Sequence, residues 1–200
     1  MRELMEAVSV LSEMPKLLPN PDDFNLGDHE ISKLEYQRLI RSQFNPLKET
    51  DQFIIGQTYS DEEGEFFVLD LTKKTVAYTA QYDVYEIDDL GRCCCETLLW
   101  KAPDCPVPDI TKKIFFGPMM EQFDAIVSDK SHTQAGKQFW IKRMTECAAK
   151  GLTVGLMPQE GAFQVFPGGD IQAWVRKLVT WGVDESFEDT RFFITKHKVG

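Results

Sequence analysis

Ser128, Asp129 and His132 follow directly on the apolar run Ala125-Ile126-Val127 and precede a stretch with helical periodicity. Their types suit acid–base chemistry. An aspartate can orient an imidazole, and an imidazole titrates close enough to neutrality to serve as general base. Their position suits it as well, because ligands of open α/β sheets bind where a parallel strand ends and a helix begins. The same residues, with Thr133, are also what a helix start requires, since Asp, Ser and Thr side chains satisfy the first free N–H groups. Catalysis by Ser128, Asp129 and His132 is therefore the alternative reading, beside simple capping.

A second group is acidic. Asp61, Glu62, Glu63 and Glu65 cluster around one turn, Asp83 and Glu86 lie on the next strand, and Asp88-Asp89 make another turn. Asp184, Glu185, Glu188 and Asp189 form a fourth cluster. None has the alternating order of a calcium loop, so no metal is expected. Solvation of turns is the plain reading. The sharper one is a partner-binding face made of Asp61, Glu62, Glu63, Glu65, Asp88 and Asp89, an acidic rim if the turns project from one end of a sheet.

Other chemistry is thinly represented. The sequence holds no GxGxxG opening a helix, no Walker loop, no HExxH and no GxSxG, and no cofactor is expected. Gly168-Gly169 could face an anion through free N–H groups, though a plain turn explains the pair. Cys93-Cys94-Cys95 would alternate across a strand, and neither Cys105 nor Cys147 supplies zinc-ligand spacing, so they read as small buried hydrophobes. His29 and His197 fall near element ends, at the surface.

The elements that must position these residues form a strand, loop, helix, glycine stop and strand across Phe123–Met157. Ser131 and Gln134 have capping-box spacing. Trp140, Met144, Cys147 and Ala148 repeat as one helical stripe, with Lys137, Lys142, Arg143 and Lys150 largely off it. Gly151 stands where a left-handed helix end belongs, and Leu152–Met157 resumes an extended pattern. Asp170 caps a further helix through Ile171, Trp174, Val175 and Leu178, and Arg191–Thr195 reads as a strand. Trp140, Trp174 and Trp181 follow helical stripes and read as core. The connection rules make this a βαβαβ arrangement with parallel strands. Upstream, Arg2–Met14 reads as one helix. A second, capped by Asp28, presents Ile31, Leu34, Tyr36, Leu39 and Ile40 and ends at Phe44-Asn45-Pro46. Strands at Phe53–Tyr59, Glu65–Leu71, Thr75–Tyr82 and Arg92–Trp100 make an antiparallel meander, and the prolines of Ala102–Asp109 break it off. The expected fold class is α+β (mixed α/β), one domain over 1–200 with a helical region 1–46, a meander 53–101 and a βαβ-type region 109–200.

At 200 residues and 42% hydrophobic content, the chain can build a full core. Glu3 and Glu6 interrupt the apolar face of the N-terminal stretch, against a signal peptide. Five cysteines without such a signal point to the cytoplasm. A formal charge of −10 argues against nucleic acid and anionic membrane as partners.

The segment GEFFVLDLTKKTVAYTA (Gly64–Ala80) resembles the sheet hairpin of the SMI1/KNR4-type group of immunity proteins, in which a strand ending in Leu-Asp-Leu turns into the next. The resemblance implies a small acidic cytoplasmic bacterial protein that binds and blocks a toxin. Together with the acidic turns, it makes a non-enzymatic immunity or inhibitor protein for a basic toxin domain the first expectation of function. An enzyme or small-ligand binder using Ser128, Asp129 and His132 is the second.

Overall fold

Runs of β-branched and aromatic residues bounded by turn formers set the strands of the chain's middle. The structure, a computed structural model, describes residues 29–129, 134–157, 163–178 and 191–199. It is an α+β fold with a nine-stranded mixed sheet in the order β1-β2-β3-β4-β5-β6-β9-β7-β8. In chain order the strands are β1 (Asn45–Glu49), β2 (Phe53–Tyr59), β3 (Glu63–Asp70), β4 (Thr75–Ile87), β5 (Gly91–Lys101), β6 (Ala125–Val127), β7 (Thr153–Met157), β8 (Gln164–Val165) and β9 (Arg191–Thr195). The helices are α1 (His29–Arg41), α2 (Ile110–Ile114), the single turn α3 (Met120–Gln122), α4 (Gln134–Ala148) and α5 (Ile171–Leu178). Two compact units emerge. One holds the described residues up to Asp83 plus Thr97–Ile114; the other holds Val84–Glu96 and the described residues from Phe115 onward.

In the first unit, β1 to β4 pair antiparallel, and the β2–β3 and β3–β4 pairs are those of the expected meander. The ladder between β3 and β4 slips after Val68↔Tyr78 to Leu69↔Val76, leaving Ala77 as a bulged residue. A bulge frees backbone groups, and they find partners. Ser32 Oγ of α1 accepts from the Val76 N–H (3.1 Å) and donates to the Val76 carbonyl (3.2 Å), while the Ala77 carbonyl accepts from the Ala102 N–H. The face that α1 buries is consequently Ser32, Glu35 and Leu39, rather than the expected stripe of Ile31, Leu34, Tyr36, Leu39 and Ile40. Ile40 is 40% exposed. Polar contacts, invisible to an apolar count, rotate the helix. β1 lies where a stop was expected. All five of its residues are exposed on an outer strand, and Pro46 and Lys48 blunt that edge. The expected helix at Arg2–Met14 and the cap at Asp28 lie outside the described residues.

In the second unit the helical segments occur as expected. Asp170 Oδ1 accepts from the N–H groups of Gln172 and Ala173, and Gly151 (φ +80°) ends α4. Leu152 N–H then closes back on the Cys147 carbonyl at 3.1 Å. The strand directions differ from expectation. β5 and β6 are parallel, but β9 enters between β6 and β7 and runs antiparallel to both. The parallel βαβαβ is thus a split unit in which β6 and β7 point the same way without touching. Burial on both faces marks a central strand and carries no information about direction. One sheet face presents Cys93, Ala125, Val127 and Phe193, packed with Leu90. The other presents Ile126, Ile194 and Phe192, where Trp140 of α4 stacks on Phe192.

Gly155 of β7 is a close-approach position. A Cβ there would lie 2.5 Å from the Phe193 ring and 2.7 Å from the Gln164 carbonyl oxygen. Neither neighbour is a flexible side-chain end, so Gly155→Ala is expected to lower unfolding free energy by roughly 1–3 kcal/mol, as overpacking does. A shifted urea midpoint with an unchanged slope checks it. An unshifted midpoint would refute the packing.

Candidate functional site

The acidic residues divide by how the hairpins hold them. At the β2–β3 tip, the Ser60 N–H donates to the Glu63 carbonyl at 2.7 Å, and Ser60 Oγ accepts from the N–H groups of Glu62 and Glu63. The backbone is fixed while Asp61, Glu62 and Glu63 stay exposed. At the β4–β5 tip, fully buried Leu90 anchors the turn through its N–H to the Ile87 carbonyl, and Asp88 and Asp89 remain exposed. None of these five carboxylates forms an ion pair among the described residues. The first tip belongs to the first unit and the second to the other.

Glu65 departs from this group and needs correction. It lies two residues along β3 from Glu63, on the same strand face, but it is only 7% exposed. Arg38 of α1 covers it at 2.9 Å and the Thr79 hydroxyl donates to it at 2.6 Å. Alternation along a strand gives the face, not the point at which a helix begins to cover it. Glu65 is therefore no part of a solvated docking face.

The loop after β6 brings a different set together. Ser128 is fully buried, its hydroxyl accepting from the Phe192 N–H (2.8 Å) and donating to the Asp129 carbonyl (3.0 Å). Those bonds tie β6 to β9 and occupy the hydroxyl. Asp129 is half-buried beyond it, and His132 and the acidic stretch 184–189 lie outside the described residues. Two residues that the sequence reading did not select join Asp129. The β5–β6 ladder ends at Cys95↔Val127, which sets Glu96 beside Ser128 just past the ladder. The Glu96 carboxyl is enclosed, and burial pushes it up to about 7, against the pull of the Arg143 guanidinium and with the Asp129 carboxylate adding to the rise. Arg143 of α4 is 6% exposed and lies 5.2 Å from the Phe139 ring centre, with Phe115 and Phe116 each at 5.9 Å. Its Nη1 bonds Glu146, whereas its Nε has no hydrogen-bond partner.

Arg143, expected largely off the helical stripe, lies on it. Trp140, Arg143, Met144 and Cys147 stand at i, i+3, i+4 and i+7, and all four are buried. An arginine on a core stripe has to be held by aromatic faces and carboxylates. Glu96 shares a strand face with Cys94 and follows directly on the buried run Cys93–Cys95, itself half-buried, which is also a costly place for a carboxylate.

The remaining candidates have structural roles. All five cysteines are free, and Cys93 and Cys147, pushed up to about 12 chiefly by burial, are poor nucleophiles. Among the described residues no group of three or more His, Cys, Asp and Glu side chains could hold a metal ion. Gly168-Gly169 (φ +105° and +97°) forms a turn beside a groove of about 640 Å³, with Gln138, Lys142, Thr145, Phe166 and Asp170 among its lining. His197 is exposed and meets Asp124 at 3.1 Å. No helix among the described residues is long and apolar enough to cross a membrane. No protein-family model, curated protein or solved structure matches the chain.

The Glu96 environment fixes the sign of a pH effect. A carboxyl raised from 4.5 to about 7 on folding stabilises the protein fully below the lower value, and that contribution is lost as pH rises to the upper one. Glu96→Gln is expected to flatten the decline of stability between about pH 5 and about pH 8 and to be the more stable form at the alkaline end. Urea unfolding across that range checks it; an unaltered pH slope would place the ionised carboxylate in solvent.

Proposed function

We propose that the protein is a non-enzymatic binding protein whose acidic hairpin tips dock a basic protein partner. The observation that carries this reading is the set of five carboxylates, Asp61, Glu62, Glu63, Asp88 and Asp89, that form no ion pair among the described residues and sit on backbone-anchored turns. Rigid display of uncompensated charge costs little when water solvates it, and it accelerates encounter with an oppositely charged surface. Tyr59, 69% exposed at the foot of the first tip, adds an aromatic face of the kind that accepts an arginine or lysine. The resemblance of Gly64–Ala80 makes a toxin domain the partner and immunity the role. Five free cysteines support a reducing compartment, the cytoplasm of a bacterial cell.

A second reading rests on a separate observation, the enclosed Glu96 carboxyl beside Asp129 and Arg143. A carboxyl that titrates near neutrality next to a guanidinium can exchange a proton with a bound molecule, and the end of a parallel strand pair is a common ligand position. In this reading the protein is a small-ligand binder or enzyme. Glu96 then moves the proton, and Arg143 and Asp129 set its field. Ser128, with its hydroxyl engaged, positions β9.

The two readings separate experimentally. Against a panel of purified basic toxin domains, the Glu62→Lys/Glu63→Lys and Asp88→Lys/Asp89→Lys pairs should each slow association about tenfold at low salt, with the difference shrinking as salt rises. Association that ignores both reversals at low salt rejects the tips. Thermal-shift screening with nucleotides, sugars and metal ions addresses the second reading. A binder that raises the melting temperature of the parent protein should lose that effect in Asp129→Asn, and silence across the panel counts against a ligand site.

A further inference from the structure

The first unit brings two buried carboxylates and one half-buried cation together at one place. Glu35 of α1 is 5% exposed and Glu65 of β3 is 7% exposed. Arg38 of α1 joins them. Its Nε donates to Glu35 Oε1 at 2.7 Å, and one terminal nitrogen bonds Glu35 and also reaches Glu65 Oε2 at 2.9 Å. The Thr79 hydroxyl of β4 takes the other oxygen of Glu65 at 2.6 Å. Among the described residues, no second cation pairs with either carboxylate. The groups that face Glu65 are therefore Glu35 and Arg38 from α1, Thr79 from β4 with Gln81 directly opposite, and Thr58 opposite on β2.

With both carboxylates ionised the cluster carries one uncompensated negative charge in a place largely removed from water. Such a charge is costly, and two carboxylates held together commonly share a proton instead. We infer that Glu35, Arg38 and Glu65 form a proton-sharing latch that docks α1 on the sheet, so that α1 loosens as pH rises and the shared proton leaves. This goes beyond the binding role proposed above and uses none of the hairpin-tip residues. The geometry has an electrostatic counterpart. Burial raises the Glu65 carboxyl most, Arg38 and Thr79 pull it down, Glu35 pushes it up again, and the net direction is upward from 4.5. A group raised on folding stabilises most below its ordinary value, and its contribution declines as pH climbs above that value. Here the decline falls on α1, whose other anchors are Leu39 and the Ser32–Val76 contact.

The test uses the full chain carrying Glu96→Gln, so that the pH response of the second unit does not enter. Carbon-13 NMR of the glutamate carboxyls gives the Glu65 titration, and amide exchange corrected for intrinsic rates gives the protection of α1 relative to β2 and β3. The expected result is a Glu65 titration above the ordinary value with α1 protection falling alongside it. Glu65→Gln should leave α1 protection independent of pH, and Glu35→Gln should move the Glu65 titration downward. A Glu65 carboxyl already ionised at or below the ordinary value overturns the latch even if neither variant folds. So does α1 protection that does not track the titration, or an unchanged response in Glu65→Gln.

Discussion

Taking a charge out of water beneath a helix constrains each unit more than any apolar contact does. An ionised side chain moved to the interior loses several kcal/mol of hydration after all relaxation, and only close, well-directed partners return it. In the first unit that requirement falls on Glu35 of α1 and Glu65 of β3, with Arg38 between them. In the second it falls on Arg143 of α4, set among three phenylalanine rings and near Glu146 and Glu96. Leucine and tryptophan contacts tolerate small slides of a helix over a sheet because burial has no direction. A guanidinium fork does not tolerate them, since its donors meet carboxylate oxygens at set distances and angles. Leu39 and Trp140 therefore supply the attraction, and Arg38 and Arg143 fix where along the sheet each helix sits.

The second unit adds a constraint of connectivity. Once β9 occupies the place between β6 and β7, the helix α4 crosses over a strand that enters from the far end of the chain. Its buried face then has to fit Phe192, a residue of that late strand. Ser128 responds to the same insertion. Its hydroxyl reaches the Phe192 N–H, a donor at the first turn of the ladder between β6 and β9. A serine that looked available for chemistry is thus recruited by a backbone group left to satisfy, which is the general reason polar residues at strand ends so often prove structural.

Periodicity and punctuation were enough to read the existence and extent of most elements. The Asp170 cap, the Gly151 stop and the hairpins around Ser60 and Asp88 follow from local chemistry that operates in any context. Strand direction was not readable, because Ala125–Val127 and Phe192–Ile194 are buried on both faces and look the same whichever way they run. The phase of α1 was not readable from apolar spacing either, because Ser32 faces inward for hydrogen bonds to Val76, 44 residues away beside a bulge, and Glu35 faces inward with Arg38, which reaches Glu65 on β3. Of the site residues, Asp61, Glu62, Glu63, Asp88 and Asp89 are where turn chemistry puts them. Glu65, Glu96 and Arg143 depend on which helix covers which stretch of strand, a tertiary fact. Arg143 nevertheless broke a local rule by placing a charge on a buried helical stripe, and Glu96 by following directly on a buried run; such violations mark functional or strained positions more often than chance.

The two kinds of acidic residue in this protein suit different work, and the difference follows from solvent. A carboxylate at a hairpin tip is screened within a Debye length of roughly 8–10 Å, so its influence is confined to what approaches that closely. An enclosed carboxylate feels each neighbouring charge strongly, and burial raises its affinity for a proton, as the upward displacement of both Glu65 and Glu96 shows. It cannot steer anything from a distance, but it can couple a conformational contact or a bound molecule to pH. The two kinds of carboxylate therefore fall on different residues: the tips display charge to water on Asp61, Glu62, Glu63, Asp88 and Asp89, while Glu65 and Glu96 tie charge to the contacts that hold α1 and α4.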